Sequence, residues 1–384
     1  MRRHGRHPAA TRRAGPRVAL VHDWLTGMRG GEKVLEAIGV LYPDAPVFTL
    51  VHVPRSVSGA VERHPIRSTF TRLLPGVARR YRSYLPLFPA AVECFDLDEF
   101  DLVISSSHCA VKSVIRTGKA VHICYCHSPM RYAWDQFDAY FGPARTGRLA
   151  SGALRRVMAG LARWDAATAG RVDRYVANSQ YVAGRIRRYY NRGSTVVYPP
   201  VDTDFYRPAD DARTPDSSFL IVSALVPYKR IDLAIEACRR AGVSLTVVGR
   251  GPEETRLARL GGDVRFLGWR SDEEIRDLYR QAAGVLLPGI EDFGMVPVEA
   301  QACGCPVVAL DAGGARETVV PGRTGVLVRE HTVDAFAAAV DECRRARYDR
   351  REVRSNAERF SPEHFLSGFQ AVVDSALVGQ VSPR

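Results

Sequence analysis

Two glutamates, Glu291 and Glu299, flank a predicted strand-to-helix corner in the segment PGIEDFGMVPVEAQACGCPVVAL (288–310). Gly294 permits close approach of the backbone there, and a helix is predicted to begin near Met295. The free amides and positive end of a helix make such a corner an anion site that suits a diphosphate. Glu291 lies in the loop, and Glu299, one turn inside the helix, can accept hydrogen bonds from hydroxyl groups.

The elements that must position this corner follow a repeating strand–helix pattern. From residue 17 onward, short and continuous apolar runs alternate with segments whose length and pattern suit helices. Continuous rather than alternating apolar runs indicate strands that are buried on both faces, as in a parallel sheet. The predicted strands are 17–22, 47–51, 101–107, 121–127, 174–179 and 195–200, and then 219–223, 244–249, 264–268, 284–288 and 306–310.

Two such arrays in succession predict an α/β chain with two Rossmann-like, doubly wound domains. Open α/β sheets bind ligands at the carboxyl ends of their strands, so two facing sheets should enclose a cleft with one ligand on each wall. The Pro- and Asp-rich segment 198–218 breaks both periodicities and indicates the connection. The predicted parts are a disordered basic tail (1–16), an N-terminal domain (17–200), a linker (201–217), a C-terminal domain (218–360) and a C-terminal helix that packs back on the N-terminal domain (361–384).

The Glu-x7-Glu spacing in this strand–loop–helix context resembles the signature of retaining glycosyltransferases of family 4, which have the GT-B fold. Other segments match that family in order over residues 17–377, among them DWLTGMRGGEKVLEAI and VSALVPYKRIDLAIEA. The segment YCHSPMRYAWD (125–135) is similar to the bacterial mannosyltransferase-like branch that builds O-antigens and exopolysaccharides. The resemblance implies that the N-terminal domain binds the acceptor and the C-terminal domain binds the donor.

The resemblance also implies roles for residues of the donor site. Glu291 would contact the donor sugar, Glu299 would hold the ribose, and Lys229 and Arg230 would neutralise the diphosphate. Many relatives carry an arginine where this chain has Ala224, so neutralisation would rest on Lys229, Arg230 and helix amides. The remaining donor-binding residues implied are Gly30, Gly31, Phe266, Leu267, Phe293, Gly294 and Met295.

On the other wall, His127 follows a predicted buried strand and corresponds to a cleft histidine near the reacting sugar. We expect it to act in catalysis together with Glu291 and Lys229. Further candidates for acceptor or interdomain contacts are Arg131, Asp135 and His108, with Lys112 beside them, while Glu317 in GGARETV is interpreted as structural support.

The implied reaction is transfer of a hexose, with retained configuration, from a nucleotide sugar to a polysaccharide or lipid-linked glycan. GDP-mannose is the first donor predicted and a UDP-sugar the second. The resemblance implies that the transfer needs no cofactor and no metal. Asp202–Thr203–Asp204 is similar to an Asp-x-Asp metal motif, but it lies in the predicted linker and is interpreted as a turn. A GT-B epimerase, an inverting transferase and a non-catalytic nucleotide-sugar-binding protein remain alternatives.

The composition restricts the possible classes of binding partner less than the motifs do. The chain of 384 residues has a formal charge of +12, which suits nucleic acid, an anionic membrane or phosphorylated substrates. No nucleic-acid-binding module is recognisable, so nucleic acid is not an expected partner. The Arg-rich start lacks the apolar core of a secretory signal, and the eight scattered cysteines suit buried free thiols. We therefore expect a cytoplasmic protein.

The segment RHPIRSTFTRLLPGVARRYRSYLPLF (63–88) mixes arginines with aromatic and aliphatic residues. This mixture suits an anionic membrane surface that bears a lipid-linked acceptor, which would place the protein peripherally on the inner face. A solvated basic helical face around an apolar core stripe explains the same pattern, and the sequence leaves both interpretations open.

Overall fold

The computed structural model describes residues 15–116, 118–209 and 218–381. Most of the predicted basic tail (1–14) and the second half of the predicted linker (210–217) lie outside these described residues.

The N-terminal domain is built on a seven-stranded sheet in which all neighbouring strands are parallel, in the order β3-β2-β1-β4-β5-β6-β7. Its strands are β1 (Val18–Leu25), β2 (Val47–His52), β3 (Ile66–Ser68), β4 (Leu102–Ser107), β5 (Val121–Cys126), β6 (Arg174–Ala177) and β7 (Thr195–Val196). Its helices are α1 (Gly30–Leu41), α2 (Gly59–Glu62), α3 (Val77–Arg80), α4 (Phe88–Glu93), α5 (Arg131–Trp134), α6 (Phe137–Phe141), α7 (Pro143–Thr146), α8 (Arg148–Ala167) and α9 (Gln180–Tyr190).

The C-terminal domain repeats this plan with a six-stranded parallel sheet in the order β10-β9-β8-β11-β12-β13. Its strands are β8 (Phe219–Val222), β9 (Leu245–Val248), β10 (Val264–Gly268), β11 (Gly284–Leu287), β12 (Val307–Leu310) and β13 (Gly325–Val328). Its helices are α10 (Ile231–Ala241), α11 (Glu254–Ala258), α12 (Asp272–Gln281), α13 (Met295–Ala302), α14 (Ala315–Thr318), α15 (Val333–Arg345) and α16 (Arg350–Glu358), and the chain ends in α17 (Pro362–Val381).

The predicted fold class is confirmed, and burial explains why. All eight residues of β1 and all six of β4 and of β5 are buried, because the helices cover both faces of the sheet. In the C-terminal domain, β9, β11 and β12 are buried along their whole length as well. Continuous apolar runs in the sequence therefore mark the central strands of both sheets.

Helix α17 lies on the N-terminal domain. Its Phe365 and Phe369 stack on each other and pack beside Tyr125 of β5, within the same apolar cluster as β1 and α1. The chain thus crosses back from the second domain to the first, and this return joins the two domains a second time.

Residues 202–206 form a turn after the N-terminal domain. Oδ1 of Asp202 accepts a hydrogen bond from the amide of Phe205 at 2.8 Å, and its carbonyl accepts one from the amide of Tyr206 at 2.9 Å. Asp202 is therefore engaged as a turn residue, which is the geometry expected of an Asp-rich connection.

The basic and aromatic segment 63–88 is not one continuous helix. It forms β3, two 3-10 helices (Phe70–Leu73 and Tyr81–Leu87) and α3 between them. Part of its apolar surface packs into the core, whereas Phe70, Leu73 and Leu87 are exposed. Among the described residues, no helix combines the length and the apolar character that crossing a bilayer requires.

All eight cysteines are free thiols, and seven of them are buried, with Cys94 the exposed exception.

Candidate active site

A cleft with a cavity of about 560 Å³ lies between the two domains, where the carboxyl ends of both sheets meet. The N-terminal wall is formed by the loop after β1, the start of α1 and the residues after β4 and β5. The C-terminal wall is formed by the loop after β8 and by the β11–α13 corner. Both walls carry ionisable groups: Arg29, Glu32, Lys33, Arg82, His108, His127 and Arg131 on the first, and Lys229, Asp272, Glu291, Asp292 and Glu299 on the second.

Glu291 and Lys229 face each other on the C-terminal wall. The ammonium group of Lys229 donates a hydrogen bond to the Glu291 carboxylate, and both side chains are largely buried. Burial, followed by the positive charge of Arg131, lowers the pKa of Lys229 to about 7, although the negative charge of Asp292 opposes this shift. A ligand phosphate beside this pair would meet a lysine whose position is already fixed.

Close backbone packing holds the Lys229–Glu291 pair in place, and this packing requires glycine at two positions. A Cβ atom at Gly289 would lie 2.6 Å from the carbonyl oxygen of Tyr228, so the β11–α13 loop can touch the Lys229 backbone only without a side chain there. Gly313 has φ +62°, and a Cβ atom there would lie 2.2 Å from the carbonyl oxygen of Glu291. The loop that carries Glu291 is thus supported from both sides.

Glu299 is almost fully buried in the first turns of α13. Oε2 accepts a hydrogen bond from the Tyr279 hydroxyl at 3.1 Å, and Oε1 lies 3.5 Å from Nζ of Lys33, which belongs to the other domain. Nζ of Lys33 also lies 3.4 Å from Asp272. Burial alone would lower the pKa of Lys33, but Glu299 and Asp272 raise it overall, so this lysine is charged.

Helix α13 begins directly beside the loop of Glu291. Its first two residues, Met295 and Val296, present amides that have no acceptor within the helix, whereas Pro297 has no N–H to offer. Gly294 precedes the helix with φ +87°, a conformation that favours glycine. The predicted anion site would therefore consist of these two helix amides, on the same wall of the cleft as Lys229.

The start of α1 brings Gly30 and Gly31 against this wall and against the histidines. A Cβ atom at Gly30 would lie 2.9 Å from Sδ of Met295, and one at Gly31 would lie 3.7 Å from Nε2 of His127. His127 lines the cleft, and its Nε2 lies 2.8 Å from the Ser106 hydroxyl. Burial, and then the neighbouring His108 and His22, hold the pKa of His127 well below its usual range, so the ring is neutral at pH 7.

A charged pair joins the two walls. The Arg131 guanidinium donates to Asp292 through Nε at 2.7 Å and through a second nitrogen. Two further links lie nearby: the Ser179 hydroxyl donates to the carbonyl of Asp292 at 2.6 Å, and the Glu317 carboxylate accepts from the first two amides of α9 at 2.8 and 3.0 Å. Arg131 and Glu317 thus make interdomain contacts.

Most residues predicted for the site line the cleft. They are Gly30, Gly31, His108, His127, Arg131, Lys229, Glu291, Phe293, Gly294, Met295 and Glu299. Five others do not line its described cavity. Arg230 pairs with its neighbour Asp232, Asp135 pairs with Arg185, and Lys112 is buried against Asp165. Phe266 and Leu267 pack into the two apolar clusters of the C-terminal domain.

Several cleft residues were not predicted from the sequence. Lys33 belongs to the segment DWLTGMRGGEKVLEAI and has no predicted role, yet it reaches Glu299 across the cleft. Asp292 stands next to Glu291 in the sequence, and only the fold shows its partner, Arg131. Arg82 of the basic segment lines the cleft close to Tyr132, a proximity that the spacing of arginines in the sequence does not indicate.

Two family models match successive parts of this chain. Residues 29–205 match the family model Glycosyltransferase Family 4, and residues 202–360 match the model Glycosyl transferases group 1. The D-inositol 3-phosphate glycosyltransferase of Mycobacteroides abscessus is 34% identical over 195 residues, which are 44% of each chain. That of Gordonia bronchialis is 34% identical over 243 residues, 53% of each chain. The chain thus matches about half the length of these curated relatives.

Solved structures with the same fold cover nearly the whole chain. Anabaena HepE in complex with UDP-glucose superposes with a TM-score of 0.67 at 21% identity, over 93% of this chain and 99% of that one. Sucrose-phosphate synthase from Thermosynechococcus elongatus gives a TM-score of 0.69 at 18% identity, over 94% of this chain and all of that one. The chain therefore has the GT-B fold, formed by a glycosyltransferase family 4 domain and a following glycosyl transferases group 1 domain.

Proposed function

We propose that this protein is a retaining glycosyltransferase that moves a hexose from a nucleotide sugar to a glycan acceptor. One observation carries the proposal. Glu291, Glu299 and Lys229 of the C-terminal domain line the same cleft as His127 of the N-terminal domain. Basic, acidic and amide groups on one wall suit a sugar diphosphate, and the opposite wall leaves a place for the acceptor.

On the donor side, we assign the diphosphate to Lys229 and the two amides at the start of α13. Negative charge develops on the departing nucleoside diphosphate, and fixed donors in a partly closed cleft stabilise that charge without reorganising. Glu299, held by Tyr279, accepts hydrogen bonds from ribose hydroxyls, and Glu291 does so from the transferred sugar. We propose that these groups act without a metal ion, so that turnover persists in excess EDTA.

The leaving phosphate assists attack by the acceptor on the same face of the sugar, and this keeps the anomeric configuration. On the N-terminal wall, Glu32 is the carboxylate that lines the described cavity, and it is buried at the start of α1 beside His22. A covalent glycosyl intermediate is therefore not part of the proposal. NMR analysis of the product anomer tests this step, since an inverted product contradicts it.

For the donor, GDP-mannose is our first proposal and a UDP-sugar the second. The mannosyl assignment rests on the resemblance of residues 125–135, whereas Anabaena HepE, which shares the fold, was solved with UDP and with UDP-glucose. Thermal-shift measurements with matched GDP- and UDP-sugars separate these donors. A rise in melting temperature with GDP-mannose alone supports the first proposal, and a rise with UDP-sugars alone replaces it.

For the acceptor, the N-terminal wall favours an anionic group. Arg29 and Arg82 line the cleft, and in the described parts of the chain neither guanidinium group forms an ion pair with a carboxylate. An acceptor that carries phosphate, such as a lipid-diphosphate-linked glycan, would give these arginines a partner. The relatives from Mycobacteroides abscessus and Gordonia bronchialis are named for a phosphorylated acceptor, D-inositol 3-phosphate.

We also propose that the exposed apolar residues of segment 63–88 dock on an anionic membrane where such an acceptor resides. Leu73 is 76% exposed and lies close in sequence to exposed arginines. Flotation with anionic liposomes at low salt tests this. Leu73→Asp should release the protein, while Leu260→Asp, at an exposed leucine of the other domain, should not. Absence of binding by the unmodified protein contradicts membrane docking.

A further inference from the structure

Three neighbouring strands align polar residues into a chain that ends at His127. His22 of β1 stands directly opposite Ser106 of β4, and His127 follows the end of β5, where its amide donates to the carbonyl of Ser107. The Ser106 hydroxyl lies 3.1 Å from Nδ1 of His22 and 2.8 Å from Nε2 of His127. One hydroxyl therefore joins both rings.

The far end of this chain is a buried carboxylate. Glu32, in the first turn of α1, accepts a hydrogen bond from the amide of Arg29 through Oε2. Its other oxygen, Oε1, lies 3.9 Å from Nε2 of His22, and this ring nitrogen has no hydrogen-bond partner among the described residues. Glu32 and His22 are both almost completely buried, so water screens their interaction little.

The directions of the hydrogen bonds follow from the single proton of the serine hydroxyl. The carboxylate is too far from His22 for a direct hydrogen bond, but its charge favours a proton on the facing nitrogen, Nε2. Nδ1 of His22 then has a free lone pair and accepts the hydroxyl proton of Ser106. The Ser106 oxygen in turn accepts a hydrogen bond from Nε2–H of His127.

We infer that Glu32 is a positioning residue that fixes the tautomer of His127, with the proton on Nε2 and a free lone pair on Nδ1. In this state His127 is a hydrogen-bond acceptor for a hydroxyl group in the cleft and not a donor. Its use in catalysis rests on the proposed function, whereas the tautomer itself does not.

The other charged and titratable groups beside the chain do not change these directions. His108 lies 5.9 Å from His22 and 6.2 Å from His127 between ring centroids, and its own Nδ1 faces Asp23 at 3.3 Å. Both oxygens of Asp23 are occupied by backbone amides of residues 108–111. Burial alone would raise the pKa of Glu32, but its contact with His22 lowers it overall, so Glu32 stays charged at pH 7.

The test is a measurement of ring nitrogens by NMR. Protein labelled with 15N-histidine is recorded with long-range 1H–15N correlation at pH 7, and His127 is assigned by the loss of its signals in His127→Gln. The expected result is a protonated Nε2 and an unprotonated Nδ1 at His127. In Glu32→Gln, which retains an oxygen for the amide of Arg29 but removes the charge, the proton should be distributed over both nitrogens. Glu36→Gln, one turn further along α1, is the matched control and should change nothing.

The variant Ser106→Ala tests whether Glu32 acts on His127 through the Ser106 hydroxyl. Without the hydroxyl, His127 should no longer respond to Glu32, so the double variant Ser106→Ala/Glu32→Gln should give the same tautomer signals as Ser106→Ala alone. If transferase activity is found, kcat of Glu32→Gln should fall at least about tenfold. A protonated Nδ1 in the unmodified protein, or an unchanged tautomer in folded Glu32→Gln, overturns the inference. Absence of any transferase activity overturns the proposed function and leaves the tautomer result to be judged separately.

Discussion

The pair formed by Arg131 and Asp292 should hold the two domains together, and its contribution follows from its geometry. Arg131 is 22% exposed and Asp292 is 9% exposed, and two guanidinium nitrogens donate to one carboxylate oxygen. Removing one partner of such a pair leaves a buried charge and costs about 3–5 kcal/mol. Because Arg185 stays 3.9 Å from Asp292, we expect the loss in Arg131→Met at the lower end, about 3 kcal/mol.

A double-mutant cycle isolates this pair. Free energies of unfolding in urea are compared for the unmodified protein, Arg131→Met, Asp292→Asn and the double variant, and we expect a coupling energy of about 2–3 kcal/mol. Arg67 and Glu99 form the matched control, a pair at 3.4 Å in which both side chains are more than half exposed. Solvent screens that pair, so its coupling energy should stay below about 0.5 kcal/mol.

Equal coupling energies for the two pairs would refute the reasoning, because burial would then make no difference. So would a coupling energy near zero for Arg131 and Asp292, since the interdomain link would then not stabilise the protein.

Three further outcomes are expected. Tyr279→Phe removes the hydrogen bond to Glu299 and should raise the KM for donor about fivefold, without lowering thermal stability by more than a few degrees. Lys229→Met should abolish binding of nucleoside diphosphate measured by calorimetry, whereas Arg230→Met, outside the cleft, should retain it. Burial lowers the pKa of His122 from 6.5 to about 4, so the unfolded state binds the proton first on acidification. Stability should therefore fall by about 3 kcal/mol between pH 6.5 and 4, and less in His122→Gln.

The central strands could be predicted from the sequence because strands that are buried on both faces consist of continuous apolar runs. The sequence did not predict two edge strands, β3 (Ile66–Ser68), which has three residues and is only partly buried, and β13 (Gly325–Val328). It also predicted a strand over 195–200, whereas β7 ends at Val196. The amide of Val197 still donates to the carbonyl of Ala177, but Pro199 and Pro200 have no N–H with which to continue the pairing. Whether a short edge strand forms depends on the elements that pack beside it, and a local sequence pattern does not show them.

In the site, too, residues of one local segment were predicted, whereas contacts between distant segments were not. Glu291, Gly294 and Glu299 belong to one strand–loop–helix corner, so their spacing alone predicts where they lie. Lys33 and Glu299 are 266 residues apart, and only the closure of two domains brings them together. Arg230 was expected beside the diphosphate with Lys229, but the backbone turns there through φ +50°, and its side chain pairs with Asp232.

The most direct test of the account is the transfer rate of Glu299→Ala with the best donor found for the unmodified protein. The account predicts that transfer is lost and donor binding is weakened, while far-UV circular dichroism shows the same fold. Unchanged turnover in a folded Glu299→Ala protein would contradict the claim that this cleft binds and activates a nucleotide sugar.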